Sequence, residues 1–272
     1  MRDADCVAFL QWALPRLKMR WQGFRRVRRQ VCRRIKKRIK ELNLETLGQY
    51  QERLVKDRNE WKILDAACQI TISRFYRNRH VFDVLASDVL PAIFTSADKQ
   101  HRSVRCWCAG CASGEEPYTL AIIYGVLLCP IFPGIEFDII ATDANPTIIA
   151  RARQARYGSG SVRDLPHEWV DRAFAQHNDQ FSLLEAYRQC VTIRQEDIRD
   201  KMPDGPFDLV LCRYLVFTYF DVESQLAILE HIKTRIRPGG YLIIGAHEML
   251  PRGCHGFRAL SACPSVLQLA KS

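Results

Sequence analysis

From residue 104 onward, short β-rich runs alternate with stretches of helical periodicity. Val104–Ala109, 137–142, Phe207–Cys212 and 241–245 read as strands, with 191–193 a weaker one. Residues 116–128, 146–155 and 222–235 read as the helices between them. Strands that alternate with helices cannot pair as hairpins. They are joined by crossovers, which cover both faces of a mostly parallel sheet. The expectation is an α/β, doubly wound, Rossmann-like domain. Pro238-Gly239-Gly240 punctuates the approach to the last strand. Within the less regular residues 157–190, 165–174 reads as helical, and 181–193 reads as a small hairpin.

The preceding residues have a different texture. Residues 1–90 read as helical, with no β-pattern. Phe24, Val27, Val31, Ile35, Ile39 and Leu42 recur at helical steps and fall on one face, with Arg and Lys around the rest. A short helix follows over 45–55, with Leu47, Tyr50 and Leu54 on one side. A third starts at Asp57 or Asn59, either a good N-cap, and a fourth covers 79–94. The polar run 95–103 predicts a boundary between a small all-helical domain, 1–95, and an α/β domain, 96–272.

Charge is distributed as unevenly as structure. Residues 1–42 hold fourteen Lys and Arg against three Asp and Glu, so the other 230 residues sum to −1 of the net +10. A uniformly basic protein is excluded. No apolar run reaches the roughly 18 residues that span a bilayer, and the first residues lack the pattern of a secretion signal. A cytoplasmic protein without membrane insertion is expected. Its eleven cysteines then read as reduced thiols packed as small hydrophobes. Cys106, Cys108 and Cys111 have no fourth ligand nearby in sequence, so no metal is expected.

The chemistry is concentrated in V-R-C-W-C-A-G-C-A-S-G-E-E-P-Y, residues 104–118. A strand enters a turn holding Gly110 and Gly114, and a helix follows. In such sheets ligands bind at the carboxyl ends of strands, beside helix N-termini. The turn is neither G-x-G-x-x-G nor a P-loop, and Glu115 and Glu116 stand where a pyrophosphate would lie. Carboxylates there suit a cationic ligand such as the amino group or sulfonium of S-adenosylmethionine. They equally favour a helix N-terminus. Asp143, ending the second strand, is placed for ribose hydroxyls or for an N-cap. Asp197, after the third strand, is either an adenine contact or an ordinary surface residue.

With these residues in view, the chain over about 25–270 resembles the chemotaxis receptor methyltransferases (CheR type), which esterify glutamate side chains using S-adenosylmethionine. The resemblance is carried by W-C-A-G-C-A-S-G-E-E-P-Y (107–118), Ser73-Arg-Phe-Tyr-Arg77, Ala141-Thr-Asp143, Cys212-Arg213, Tyr219-Phe-Asp221, and Pro238-Gly-Gly-Tyr-Leu242 with Gly245 and Glu248. It implies a cofactor site in which Gly110 shapes the turn, Glu115 meets the methionyl amino group, and Asp143 meets the ribose. Asp197 and Ile198 flank the adenine. Ser73 and Arg77 close over the cofactor, and Cys212-Arg213 ends a strand beside the methyl donor. Arg77, Arg213 and Tyr219 are the residues it implies for catalysis. An acceptor glutamate is already ionised at neutral pH, so no general base is needed.

The departures lie on the acceptor side. The related pattern C-R-N is here Cys212-Arg213-Tyr214, with one extra residue before Tyr219. G-H-S-E becomes Gly245-Ala-His-Glu248. The expected partner is an acidic protein substrate docked by the basic N-terminal helix and methylated by a monomer. Nucleic acid is the weaker partner, because no N-P-P-Y-like string follows the fourth strand and no aromatic RNA-stacking motif is present. A nucleic-acid or small-molecule methyltransferase, or a non-catalytic cofactor-binding module, is the alternative.

Overall fold

The structure, a computed structural model, describes residues 2–271. Its chain forms two compact units, one from the residues up to 70 together with 218–225, the other from 71–217 and the residues from 226 on.

The first unit is helical, built on Asp3–Ala13, Arg28–Glu41, Leu47–Lys56 and Arg58–Cys68. The predicted stripe buries Val31, Ile35 and Ile39, together with Cys32. Phe24 is buried as well, but in its own short turn, Trp21–Phe24. Asp57, one of the two expected N-caps, accepts from the Asn59 N–H at 2.9 Å. Thr46 and Gln49 form a reciprocal capping box one helix earlier. Glu60 is buried, and two nitrogens of Arg38 meet it at 2.9 and 2.8 Å while the Tyr50 hydroxyl donates at 2.9 Å. Arg38 holds its carboxyl below the usual range against the opposing effect of burial. One expectation is corrected here. Cys6 and Cys32 form a disulfide with Cα atoms 6.1 Å apart, so not every cysteine is a free thiol. The reason is register, since both thiols face the same core.

The second unit holds a seven-stranded sheet. Its strands are β1 (Val104–Ala109), β2 (Phe137–Asp143), β6 (Val191–Gln195), β7 (Phe207–Cys212), β8 (Ile236–Ile243), β9 (Phe257–Leu260) and β10 (Cys263–Leu269). The order is β6-β2-β1-β7-β8-β10-β9, with β6 to β8 parallel and β10 antiparallel to both neighbours. The chain leaves β1 toward one edge and returns to β7 on its other side. The sheet therefore reverses direction between β1 and β7, where the carboxyl ends of an open α/β sheet form a ligand crevice. The expected α/β, doubly wound class is observed. The β9–β10 pair is an addition.

Two boundaries differ from the sequence reading. The predicted division at residue 95 is not observed, because Arg79–Lys99 is one continuous helix whose Val81, Phe82, Leu85, Leu90, Phe94 and Ala97 enter the second unit's core. The polar run after residue 95 is that helix's last turn and cap. His101 adopts φ +49° and the Arg102 N–H returns to the Ala97 carbonyl at 3.1 Å. By length and composition this helix is apolar enough to cross a membrane, yet half of its apolar window is buried within the protein. The hairpin expected at 181–193 lies earlier. β4 (Phe174–His177) and β5 (Gln180–Leu183) pair across a two-residue turn in which Asn178 takes φ +52°. β3 (Arg156–Gly158) pairs with the other edge of β5.

Candidate cofactor and methyl-transfer site

The turn after β1 is fixed before any ligand is considered. The Gly110 and Cys111 N–H groups both donate to the Thr142 carbonyl, at 2.8 and 2.9 Å. Trp107 Nε1 reaches the Thr142 hydroxyl at 3.0 Å. Gly110 has φ +74°, and a Cβ there would come within 2.7 Å of Leu215. Gly114 has φ +93° and N-caps the Glu115–Ile123 helix. Only glycine fits both positions without strain. The Tyr157 hydroxyl clamps the turn from outside by donating to the Ser113 carbonyl at 2.8 Å.

Glu115 is 3% exposed. Its Oε1 accepts from the Ser113 hydroxyl at 3.0 Å, and among the described residues its Oε2 has no hydrogen-bond partner. Burial pushes this carboxyl above the ordinary glutamate value, with the Glu115 and Ser113 hydrogen bonds and the nearby Ser73 hydroxyl pulling the other way. A buried carboxylate oxygen without a donor is costly, and a cationic donor relieves it. Asp143 ends β2. The Ala112 and Asn145 N–H groups hold its two oxygens at 3.0 and 2.9 Å, and burial again raises its carboxyl. The Glu196 N–H donates to the Asp143 carbonyl at 3.1 Å and so joins the end of β6 to that of β2. Asp197 differs. Burial works to raise it, but a forked pair with Arg199 outweighs that and sets its carboxyl below the ordinary value. Ile198 beside it is buried.

The Ser73–Arg77 segment is held by its middle. Phe75 is fully buried, edge-on to Tyr157 at 4.8 Å and to Phe174 at 5.3 Å. The Tyr76 N–H donates to the Thr119 hydroxyl at 3.2 Å, and that hydroxyl donates to the Glu115 carbonyl at 2.6 Å. Arg77 follows and donates to the Ile72 carbonyl at 2.7 Å. The centre of its guanidinium stacks 4.3 Å from the Tyr214 ring centroid.

Cys212, the last residue of β7, is fully buried, and burial holds its thiol protonated. Arg213 follows it. Its guanidinium turns into the protein, with Nη1 meeting Glu116 at 2.7 Å and Nη2 meeting the Arg77 carbonyl at 2.8 Å and Asn78 Oδ1 at 2.9 Å. Burial raises the Glu116 carboxyl and Arg213 opposes that rise. The two neighbouring glutamates thus separate. Glu116 holds Arg213, and Arg213 holds the turn that carries Arg77. Tyr219 falls in the first unit, its ring 4.9 Å from that of Phe24 and its carbonyl accepting from the Arg20 N–H at 2.9 Å. Of the residues the resemblance implied, the second unit thus contains Ser73, Arg77, Gly110, Glu115, Asp143, Asp197, Ile198, Cys212 and Arg213. Asn78 and Glu248 support the site without having been assigned a part in it, and Glu116, read beside Glu115 as a carboxylate for a cationic ligand, is instead paired with Arg213. Their sequence signal is weak, although a buried Arg213 demands a buried carboxylate.

Residues 71–264 match the family described as CheR methyltransferase, SAM binding domain. The chain belongs to the CheR methyltransferase family. A chemotaxis protein methyltransferase of Listeria innocua is 32% identical over 221 residues, covering 81% of each chain. Chemotaxis protein methyltransferase 1 of Pseudomonas aeruginosa is 28% identical over 249 residues, covering 89% of each. Among solved structures, the N-methyltransferase NodS of Bradyrhizobium japonicum overlaps 63% of this chain and 62% of its own at 18% identity and a TM-score of 0.35. The protein is an S-adenosylmethionine-dependent methyltransferase. The site fits that cofactor on its own chemistry, because the partnerless Oε2 of Glu115 stands ready for an ammonium group.

Proposed function

We propose that this CheR-family enzyme methylates glutamate carboxylates on an acidic protein partner of the chemoreceptor type. The observation that carries this reading is Arg77. Among the described residues its guanidinium makes one hydrogen bond, to the Ile72 carbonyl, and its face rests on Tyr214. The remaining in-plane N–H groups form a fork of the shape that takes a carboxylate. The printed names of the Listeria and Pseudomonas relatives support the same reading.

In this proposal Glu115 holds the methionyl ammonium, Asp143 the ribose hydroxyls, and Asp197 with Ile198 flanks the adenine. When bound, S-adenosylmethionine supplies an electrophilic methyl group. Arg77 orients the acceptor carboxylate in line with it, and Ser73 covers the site. No side chain moves a proton, because the acceptor is ionised at neutral pH and transfer leaves a neutral ester. The protein's contribution is positioning and exclusion of water.

The partner is acidic because the first unit presents a cationic stripe. Arg29, Arg33, Lys36 and Lys40 are exposed at helical spacing on Arg28–Glu41, with no ion pair among the described residues. The enzyme acts as a monomer in the cytoplasm. Incubation with methyl-labelled cofactor and an acidic receptor fragment tests the function. Base-labile label on protein supports it. Label on nucleic acid or a small molecule, or cofactor binding without transfer, contradicts it.

A further inference from the structure

Tyr214 replaces the Asn of the related pattern, and it is an unfavourable residue for its backbone. It adopts φ +55°, a left-handed conformation that Asn enters far more readily than an aromatic residue. Its surroundings hold it there. Its N–H donates to Glu248 Oε2 at 2.9 Å, its hydroxyl donates to Asn78 Oδ1 at 2.7 Å, and the Ala246 N–H donates to that hydroxyl at 3.2 Å. Gly245 makes room for the ring, since a Cβ there would lie 2.7 Å from Tyr214 Cε1. A strained residue fixed at both ends is characteristic of a site where position matters.

We infer that Tyr214 is a positioning residue that sets the acceptor side of the site by holding the Arg77 guanidinium face-on, leaving its N–H edge free for the acceptor carboxylate. A ring centroid 4.3 Å from the guanidinium carbon is within cation–π range. Stacking uses the face of the guanidinium and spares its in-plane donors. Arg213, 5.7 Å from the same ring, is already committed to Glu116, Asn78 and the Arg77 carbonyl. Asn78 Oδ1 accepts from both Tyr214 and Arg213, so one polar atom ties the platform to the clamp beneath Arg77. An asparagine at 214 offers no ring. The chain has therefore acquired its own means of orienting Arg77.

The inference rests on the proposed role of Arg77 toward the acceptor, and the test separates the two. The full-length enzyme and its Tyr214→Phe, Tyr214→Leu and Tyr214→Asn variants are compared on an acidic receptor fragment, each with and without Arg77→Lys. Cofactor affinity is measured alongside by calorimetry. Phe keeps the ring and is expected to stay within about threefold of wild type. Leu and Asn are expected to lose about tenfold in kcat/KM, chiefly through acceptor KM, with cofactor affinity unchanged. Arg77→Lys should cost much less in the Leu background than in wild type, the mark of residues that act together. Equal loss in Phe and Leu, a parallel fall in cofactor affinity, additive effects, or an unmoved Leu variant each overturns the inference. A wild-type enzyme that yields no base-labile methyl group refutes the function itself. An active wild type with an unmoved Tyr214→Leu refutes only the role of Tyr214.

Discussion

Replacing Glu115 by Gln keeps the shape of the side chain and removes its charge. The structure predicts opposite effects on binding and on stability. The carboxylate is 3% exposed, and one of its oxygens has no hydrogen-bond partner among the described residues. A charge-assisted hydrogen bond to an ammonium group in such a place contributes about 1.5–3 kcal/mol. At 1.4 kcal/mol per decade, Glu115→Gln should weaken S-adenosylmethionine binding roughly 10- to 150-fold. Stability should move the other way. Burial raises the folded-state carboxyl above its unfolded value, so the ionised form costs stability at every pH above the raised value. Gln removes that cost, and the melting temperature should hold or rise at pH 8. The same shift sets a pH dependence. In the proposed pairing the cofactor's ammonium favours ionised Glu115, so wild-type affinity should decline as pH falls through the raised value, and the variant should lack that decline. Calorimetric titration across pH 5–8 with parallel thermal melts reads both effects. A variant that binds as wild type does, or that loses affinity and melting temperature together, would refute the reasoning.

Other outcomes follow from the remaining features. Reversing Arg29, Arg33, Lys36 and Lys40 to Glu should raise the KM for an acidic protein acceptor tenfold or more at low salt, with a smaller effect at high salt and no change in cofactor affinity. Glu60→Gln should lower stability by about 2 kcal/mol, a value below the usual cost of breaking a buried pair because Arg38 is a quarter exposed; urea unfolding checks this. The Glu60 carboxyl lies below its ordinary 4.5, so its contribution is present above that pH and is lost as pH falls through the depressed value, a loss the variant should not show. Thiol titration in denaturant should count nine free cysteines without reductant and eleven with it. Cys32→Ser should cost about 3 kcal/mol, given the 26-residue separation that the bond closes.

Where the sequence was legible, a single local rule governed the segment. β1 and β7 are buried on both faces apart from the half-buried Arg105, so apolar runs interrupted only by Arg105 and Asp208 marked them directly. The positions of Glu115 and Asp143 at the strand ends were legible because a strand–turn–helix places them, whatever the distant residues do. Features that depend on distant partners were not. The division at residue 95 failed because a polar helix end and a polar linker look alike until Phe94 and Ala97 are seen in the core. β9 and β10 were missed because they pair antiparallel at the sheet edge, where one is half exposed and the other begins with a bulge. The disulfide joins residues 26 apart that only the packed helices bring together. The Arg213–Glu116 pair was not legible because the two residues lie 97 positions apart. Tyr214 was recognised as a departure, but its contact with Arg77 exists only in the folded chain.

The central claim is that a cofactor cradle at the β1 and β7 ends serves carboxyl methylation of an acidic protein. The most direct measurement is the chemical lability of the transferred methyl group. Wild-type enzyme, methyl-labelled S-adenosylmethionine and a glutamate-rich receptor fragment should give protein-bound label that is released as methanol in mild base. Label that survives base, or that appears on nucleic acid instead, would contradict the account.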